Sequence, residues 1–241
     1  IIDEASQMDI AHFIPSILRY GENTKLLLAG DHKQLDPILQ VRLDKAEEEI
    51  FGSILSYYIE KYVDKDERFK SLLKALKSNR RSNKIIVEAI KYIVGYSDEY
   101  EANSNNANRK ISFVEKQDED DLNYKILNPN QPISIIRYND GKSGKINLFE
   151  VEQISNIVRY IWNKKLYVEG NIYYGLENLD QFFTKALGIV VTHTAQRVLV
   201  QNQIIKEFEN EINELVDTKG MNKKEIENII RSSVDTVDKY Q

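Results

Sequence analysis

Two short apolar runs, each stopped by acidic residues, limit what this chain can become. The first is Ile1-Ile2, ending at Asp3-Glu4; the second is Leu26-Leu27-Leu28-Ala29, ending at Gly30-Asp31. Between them, residues 8–20 place Met8, Ile10, Phe13, Ile14, Ile17 and Leu18 at helical spacing, and Pro15 predicts a break or kink there. Gly21-Glu22-Asn23 reads as a turn, and residues 25–29 as a short buried strand. A strand, a helix and a second strand in this order predict a parallel α/β sheet. Ligands of such sheets sit beyond the carboxyl ends of the strands, which is where these acids fall.

The same grammar continues along the chain. Residues 44–77 are predicted helical, with Ile50, Phe51, Ile54, Leu55 and Tyr58 as packing positions. A helix is predicted from 84 to about 94. The stretch 95–131, rich in Asn, Asp, Glu and Lys, reads as loop-rich with one strand over 111–114. Pro132-Ile133-Ser134-Ile135-Ile136 reads as a strand. Residues 147–162 read as a helix with Val151, Ile154, Val158 and Ile161 on one side, and Asn147-x-x-Glu150 as its cap. A strand over 187–192, a long helix over 196–215, a charged helix-prone connector over 217–230 and a strand over 232–237 complete the reading. The expected architecture is α/β, with two parallel-sheet units divided at residues 1–70 and 71–241.

Composition removes several classes of function. With no cysteine among 241 residues, disulfides, Cys-ligated zinc and iron–sulfur clusters are excluded. Three scattered His residues argue against a His-rich metal site. No run approaches the roughly 18 apolar residues that signal a membrane span, and no signal peptide is visible, so a cytoplasmic protein with no membrane partner is expected. The formal net charge of −5 runs against nucleic-acid binding, which needs Lys and Arg at phosphates, although a local basic surface can coexist with an acidic whole.

The chemistry-bearing residues fall at the ends of the apolar runs. Asp3 has the chemistry to hold Mg²⁺ through its water shell, and Glu4 to orient or deprotonate an attacking water. In Gly30-Asp31-His32-Lys33-Gln34-Leu35-Asp36-Pro37, Gly30 permits a backbone course that a side chain would obstruct. The Gln34 amide can bond both a phosphate and a water. Asp3-Glu4-Ala5-Ser6 followed by Gly30-Asp31-x-x-Gln34-Leu35-x-Pro37 resembles motifs II and III of the superfamily 1 helicases. The branch concerned includes the nonsense-mediated-decay helicases and the replication helicase-nucleases.

Later segments resemble further motifs of that family, in the same order. Leu76-Lys77-Ser78-Asn79-Arg80-Arg81 is similar to L-x-x-[QN]-Y-R, with Arg81 at the arginine that reaches the γ-phosphate and Arg80 in place of the usual tyrosine. Leu187 to Gln196 is similar to the family's I-G-V-I-T-P-Y-x-x-Q: Thr192 and Gln196 match, while His193 and Thr194 replace Pro and Tyr. His193 reads as a capping or packing residue. Ser233 to Gln241 resembles V-x-T-V-D-x-x-Q-G, in which a threonine, here Thr236, contacts a phosphate and the end of the motif, here Gln241, reaches the nucleotide.

The resemblance implies a P-loop NTPase with RecA-like parallel sheets, the first lobe truncated and the second nearly complete. It implies ATP and Mg²⁺ as cofactors, with Asp3 as metal ligand and Asp3, Glu4, Gln34 and Arg81 as catalytic residues. Gly30, Asp31 and Gln241 would bind the nucleotide, and Thr192, Thr194, Gln196 and Thr236 the nucleic acid. The implied function is an ATP-dependent helicase or translocase on single-stranded nucleic acid, DNA before RNA, with room for a fused or partner nuclease domain. The alternative is a degenerate helicase-like module serving as a nucleic-acid-binding or protein-interaction scaffold, which the departures at Arg80, His193 and Thr194 favour. No G-x-x-x-x-G-K-[ST] loop occurs in these residues, so the chain reads as a fragment of a motor, and residues 1–241 alone are expected to be inactive.

Overall fold

The computed structural model describes residues 1–35, 37, 52–117, 121–139 and 144–237. The chain divides into two compact units, one of residues 1–77 with 91–100, the other of residues 78–90 with 101–241. Among the described residues the first unit pairs helices with isolated β-bridges and the second combines helices with small sheets, so the coarse α/β expectation holds.

In the first unit, Ile2 and Leu28 form a parallel bridge. Ile2 N–H donates to the Leu27 carbonyl at 2.9 Å, and Ala29 N–H to the Ile2 carbonyl at 2.8 Å. The predicted strand over 25–29 is therefore reduced to one bridge at Leu28. Helix α1 (Ile10–Ile17) starts at Asp9, whose carboxylate accepts the His12 N–H, and it runs through Pro15 before ending two residues later. Phe13 is the residue of α1 that enters the core, beside Ala5, Ile54 and Leu55, whereas Ile14, Ile17 and Leu18 are exposed.

The long helix predicted over 44–77 does not form in its described part. Helix α2 (Ile54–Tyr58), capped by Ser53, widens into a π-helical turn over Ile59–Val63. A separate helix α3 (Glu67–Lys70) starts at Asp66, whose carboxylate accepts the Arg68 N–H. Asp competes for nearby backbone donors, so it restarts a helix more readily than it continues one. Ile50 and Phe51 lie outside the described residues.

The second unit holds the larger core. Strand β1 (Ser78–Asn79) pairs in parallel with β2 (Glu101–Ala102). Helix α4 (Lys84–Val94) has the predicted bounds, with the Asn83 side chain accepting the Ile85 N–H at 2.8 Å. The unit boundary falls within it, after Ile90. Strand β3 (Ile111–Phe113) joins β4 (Leu166–Val168) and β5 (Asn171–Tyr173) in an antiparallel three-stranded sheet. The expectation of parallel sheets alone is corrected here: β4 and β5 are separated by Glu169-Gly170, both at positive φ, a tight turn that antiparallel strands permit and parallel strands do not.

Helix α5 (Leu122–Ile126) is short. Helix α6 (Leu148–Asn163) is capped as expected, the Asn147 side chain accepting the Glu150 N–H. It buries Val151, Val158 and Ile161. Residues 132–136 pair with no strand among the described residues, which corrects that expectation: an apolar run becomes a strand only when a neighbour takes its N–H and C=O groups. The helix predicted over 196–215 is two helices, α7 (Thr194–Glu207) and α8 (Glu209–Lys219), parted at Phe208. The buried Phe208 ring meets Phe183 at 5.1 Å and Trp162 at 5.6 Å between centroids. Helix α8 ends at Gly220, φ 64°, and Asn222 caps helix α9 (Lys223–Ser232). The predicted connector is thus itself mostly helix. Strands β6 (Ile189–Val191) and β7 (Val234–Thr236) pair in parallel, with Val191 opposite Thr236.

Candidate functional site

The parallel bridge at Ile2 and Leu28 brings the two acidic loops of the first unit side by side. Beyond it, Ala5 N–H donates to the Ala29 carbonyl at 2.8 Å, so Asp3-Glu4 and Gly30-Asp31 leave the same end of the pair together. Their closeness explains Gly30. A Cβ there would lie 2.9 Å from the Ser6 nitrogen and 3.0 Å from that of Ala5, both backbone atoms that cannot swing away. Asp3 and Glu4 are both exposed. Asp3 Oδ1 accepts the Glu4 N–H at 3.0 Å, and Glu4 itself adopts φ 50°, a left-handed conformation that non-glycine residues hold only under constraint.

Asp31 organises the second loop. Its Oδ1 accepts the Lys33 N–H at 3.0 Å, its Oδ2 accepts Gln34 Nε2 at 3.2 Å, and its carbonyl accepts the Gln34 N–H at 3.1 Å. A carboxylate accepts hydrogen bonds, so Gln34 must turn its NH₂ toward Asp31 and its Oε1 away. Sequence reasoning missed the next partner. The Tyr96 hydroxyl also donates to Asp31 Oδ2, and Lys33 Nζ donates to the Gly95 carbonyl while lying 5.6 Å from the Tyr96 ring centre. Burial first, then the Asp31 carboxylate, push the Tyr96 phenol far above its ordinary value. No local pattern links residues 95–96 to residues 31–34; only Gly95, a helix-ending glycine, marked that turn.

The remaining predicted residues lie in the second unit. Asn79 Oδ1 accepts the N–H groups of Arg81 and Ser82, both at 2.8 Å, so a side-chain turn fixes the Arg81 backbone while its side chain stays exposed. Thr192 and Thr194 are exposed at the carboxyl end of β6, where α7 begins. His193 takes the N-cap position of α7 but makes no side-chain capping bond. Thr236 is on the neighbouring strand at the same end and is 8% exposed. Gln196 is 4% exposed: its Oε1 accepts the Asn147 N–H at 2.8 Å, and its Nε2 donates to the Asn147 carbonyl and to Glu150 Oε2. Gln196 thereby joins the starts of α6 and α7. Gln241 lies outside the described residues.

A cleft of about 500 Å³ opens in the second unit beside Lys185, Gly188 and Ser232, toward the amino ends of β6 and β7. It holds none of the predicted residues. Among the described residues, no three His, Cys, Asp or Glu side chains are grouped so as to hold a metal ion between them. Nor is any helix among them long and apolar enough to cross a membrane. Comparison with protein families, with curated proteins and with solved structures returns no match to this chain.

Proposed function

We propose that this chain belongs to an ATP-dependent helicase or translocase that couples nucleotide hydrolysis to movement on single-stranded nucleic acid, DNA before RNA. One observation carries the reading: the parallel bridge at Ile2 and Leu28 delivers Asp3-Glu4 and Gly30 to Gln34 to one carboxyl edge. An acid that holds a metal, an acid that takes a proton and an amide that orients water are the parts that phosphoryl transfer to water requires.

Asp3 fits a magnesium ion held largely by water and phosphate, because such a site needs only one or two carboxylates and Asp3 is exposed. The bound ion supplies charge neutralisation at the phosphates. Glu4 accepts a proton from the attacking water as the water oxygen bonds to the γ-phosphorus; the bond from phosphorus to the β,γ-bridging oxygen breaks, and the nucleoside diphosphate leaves. Gln34 Oε1, turned away from Asp31, accepts the other water proton as a hydrogen bond. The resemblance gives Arg81, in the second unit, the part of balancing charge on the phosphoryl oxygens. Thr192 and Thr194, beside a helix start with no side-chain cap, offer hydroxyls and N–H groups to a nucleic-acid phosphate. The burial of Gln196 and Thr236 favours a second reading, a scaffold module that has kept the fold and lost the motor.

Glu4→Gln in the complete protein separates the two readings. Strand-stimulated phosphate release should fall by about 10²-fold or more, the scale of losing a general base, while nucleotide binding persists. Unchanged turnover removes Glu4 from the mechanism, and no turnover in the wild type supports the scaffold.

A further inference from the structure

We propose that Tyr96 is a positioning residue, setting the orientation of the Gln34 amide through Asp31. The inference rests on the hydrolytic reading above for its consequence but on geometry for its substance. Asp31 Oδ2 accepts both the Tyr96 hydroxyl and Gln34 Nε2, the latter at 3.2 Å. Gln34 is exposed, and a single long bond from an exposed amide to a carboxylate does not by itself hold that amide still. Tyr96 is half-buried and packs tilted against the Tyr100 ring, 4.9 Å between centroids, so it is the most constrained member of the group. Its hydroxyl anchors Oδ2, the Lys33 N–H anchors Oδ1 at 3.0 Å, and the carboxylate plane is set between them.

Two further features hold the phenol in place. Gly95 adopts φ 73°, and the N–H groups of Gly95 and Tyr96 both donate to the Lys91 carbonyl, at 2.9 and 3.1 Å, which closes the end of α4 just before the ring. Lys33 donates from its ammonium group to the Gly95 carbonyl, tying the same loop from its other side. Burial first, then the Asp31 carboxylate, raises the phenol's ionisation further above neutral pH, so it stays a donor. With the NH₂ of Gln34 held on Asp31, its Oε1 is presented to solvent on one side only. In the proposed hydrolysis that oxygen orients water, so Tyr96 acts on the reaction without touching substrate.

Tyr96→Phe in the complete protein removes the hydroxyl and keeps the ring. The side-chain NH₂ signals of Gln34, assigned by their loss in Gln34→Glu, should shift in ¹H–¹⁵N spectra and broaden toward those of a freely rotating amide. Nucleotide turnover should fall about tenfold in kcat, the worth of one charge-assisted hydrogen bond, with KM for ATP changed less than twofold. Unmoved Gln34 signals overturn the inference whatever the turnover does. Moved signals with wild-type kcat overturn the link to hydrolysis. If the wild type hydrolyses nothing, the functional reading fails by itself, and the Gln34 signals still decide whether Tyr96 orients the amide.

Discussion

Asp31 shows how one carboxylate sets a loop. It receives two backbone N–H groups of its own loop, one of them on its carbonyl, together with the amide of Gln34 and the phenol of Tyr96. The phenol carries a measurable pH signature. Its ionisation in the folded protein is raised above the ordinary value of 10.0, by burial first and by Asp31 second. A group whose pKa is raised on folding contributes stability that is complete below its unfolded value and disappears as pH rises through the folded one. The urea midpoint of the wild type should therefore decline more steeply above pH 10 than that of Tyr96→Phe, while the two decline alike between pH 7 and 9. Parallel curves across the whole range would mean that the phenol is not held by Asp31. Gly30 belongs to this scale as well, since its missing Cβ is what lets the two loops touch.

Among the elements, the junction of α7 and α8 bears the most packing. Phe208 is fully buried, touches the rings of Trp162, Phe182 and Phe183, and carries the Arg159 guanidinium 4.0 Å above its own ring. Arg159 is held there by Glu211 of α8, at 2.5 Å. An arginine over an aromatic face and a carboxylate beside it form a capped stack, so the helix break is a packed structure and not a weak point. Phe208→Ala removes a fully buried ring from among Trp162, Phe182 and Phe183. The expected cost is about 3–5 kcal/mol, read as a lower urea midpoint of the second unit. A loss of less than about 1 kcal/mol would show that the helices can join straight through.

At the scale of the whole molecule, the two units differ in core size. Among the described residues, sixteen buried apolar side chains form the core of the second unit and four form that of the first. Stability follows apolar burial, so opening should start in the first unit. Amide hydrogen exchange should be faster over residues 2–29, the bridge and α1, than over α6, α7 and β7, by about 10²-fold or more, the ratio that corresponds to roughly 3 kcal/mol. Equal protection in the two would show that they open together. The same imbalance places the proposed hydrolytic residues Asp3, Glu4 and Gln34 on the less stable unit, where loops that close on a ligand are ordinarily found.

Where one face of an element meets the core and its end is capped locally, the residues alone were enough. Helix α4 over Lys84–Val94 follows from periodicity, and α6 from Asn147 with Val151, Val158 and Ile161. The two acidic loops after Ile2 and Ala29 lie side by side as expected, but the buried strands expected before them are one bridge between Ile2 and Leu28, with Ile1 and Leu27 exposed. What needed partners far along the chain was decided by the tertiary structure. The apolar stretch over 132–136 did not become a strand because nothing among the described residues takes its backbone groups, whereas Ile111–Phe113 did because Leu166–Val168 lay beside it. The break at Phe208 exists because three aromatic rings and Arg159 surround it, which no helical pattern encodes. Gln196, which the resemblance gives to the nucleic acid, is buried against Asn147, because the side on which α7 packs is set by α6. Tyr96 is the clearest case: a hydrogen bond joins donor and acceptor wherever the fold brings them together, and periodicity reports only which residues are buried, not what they meet.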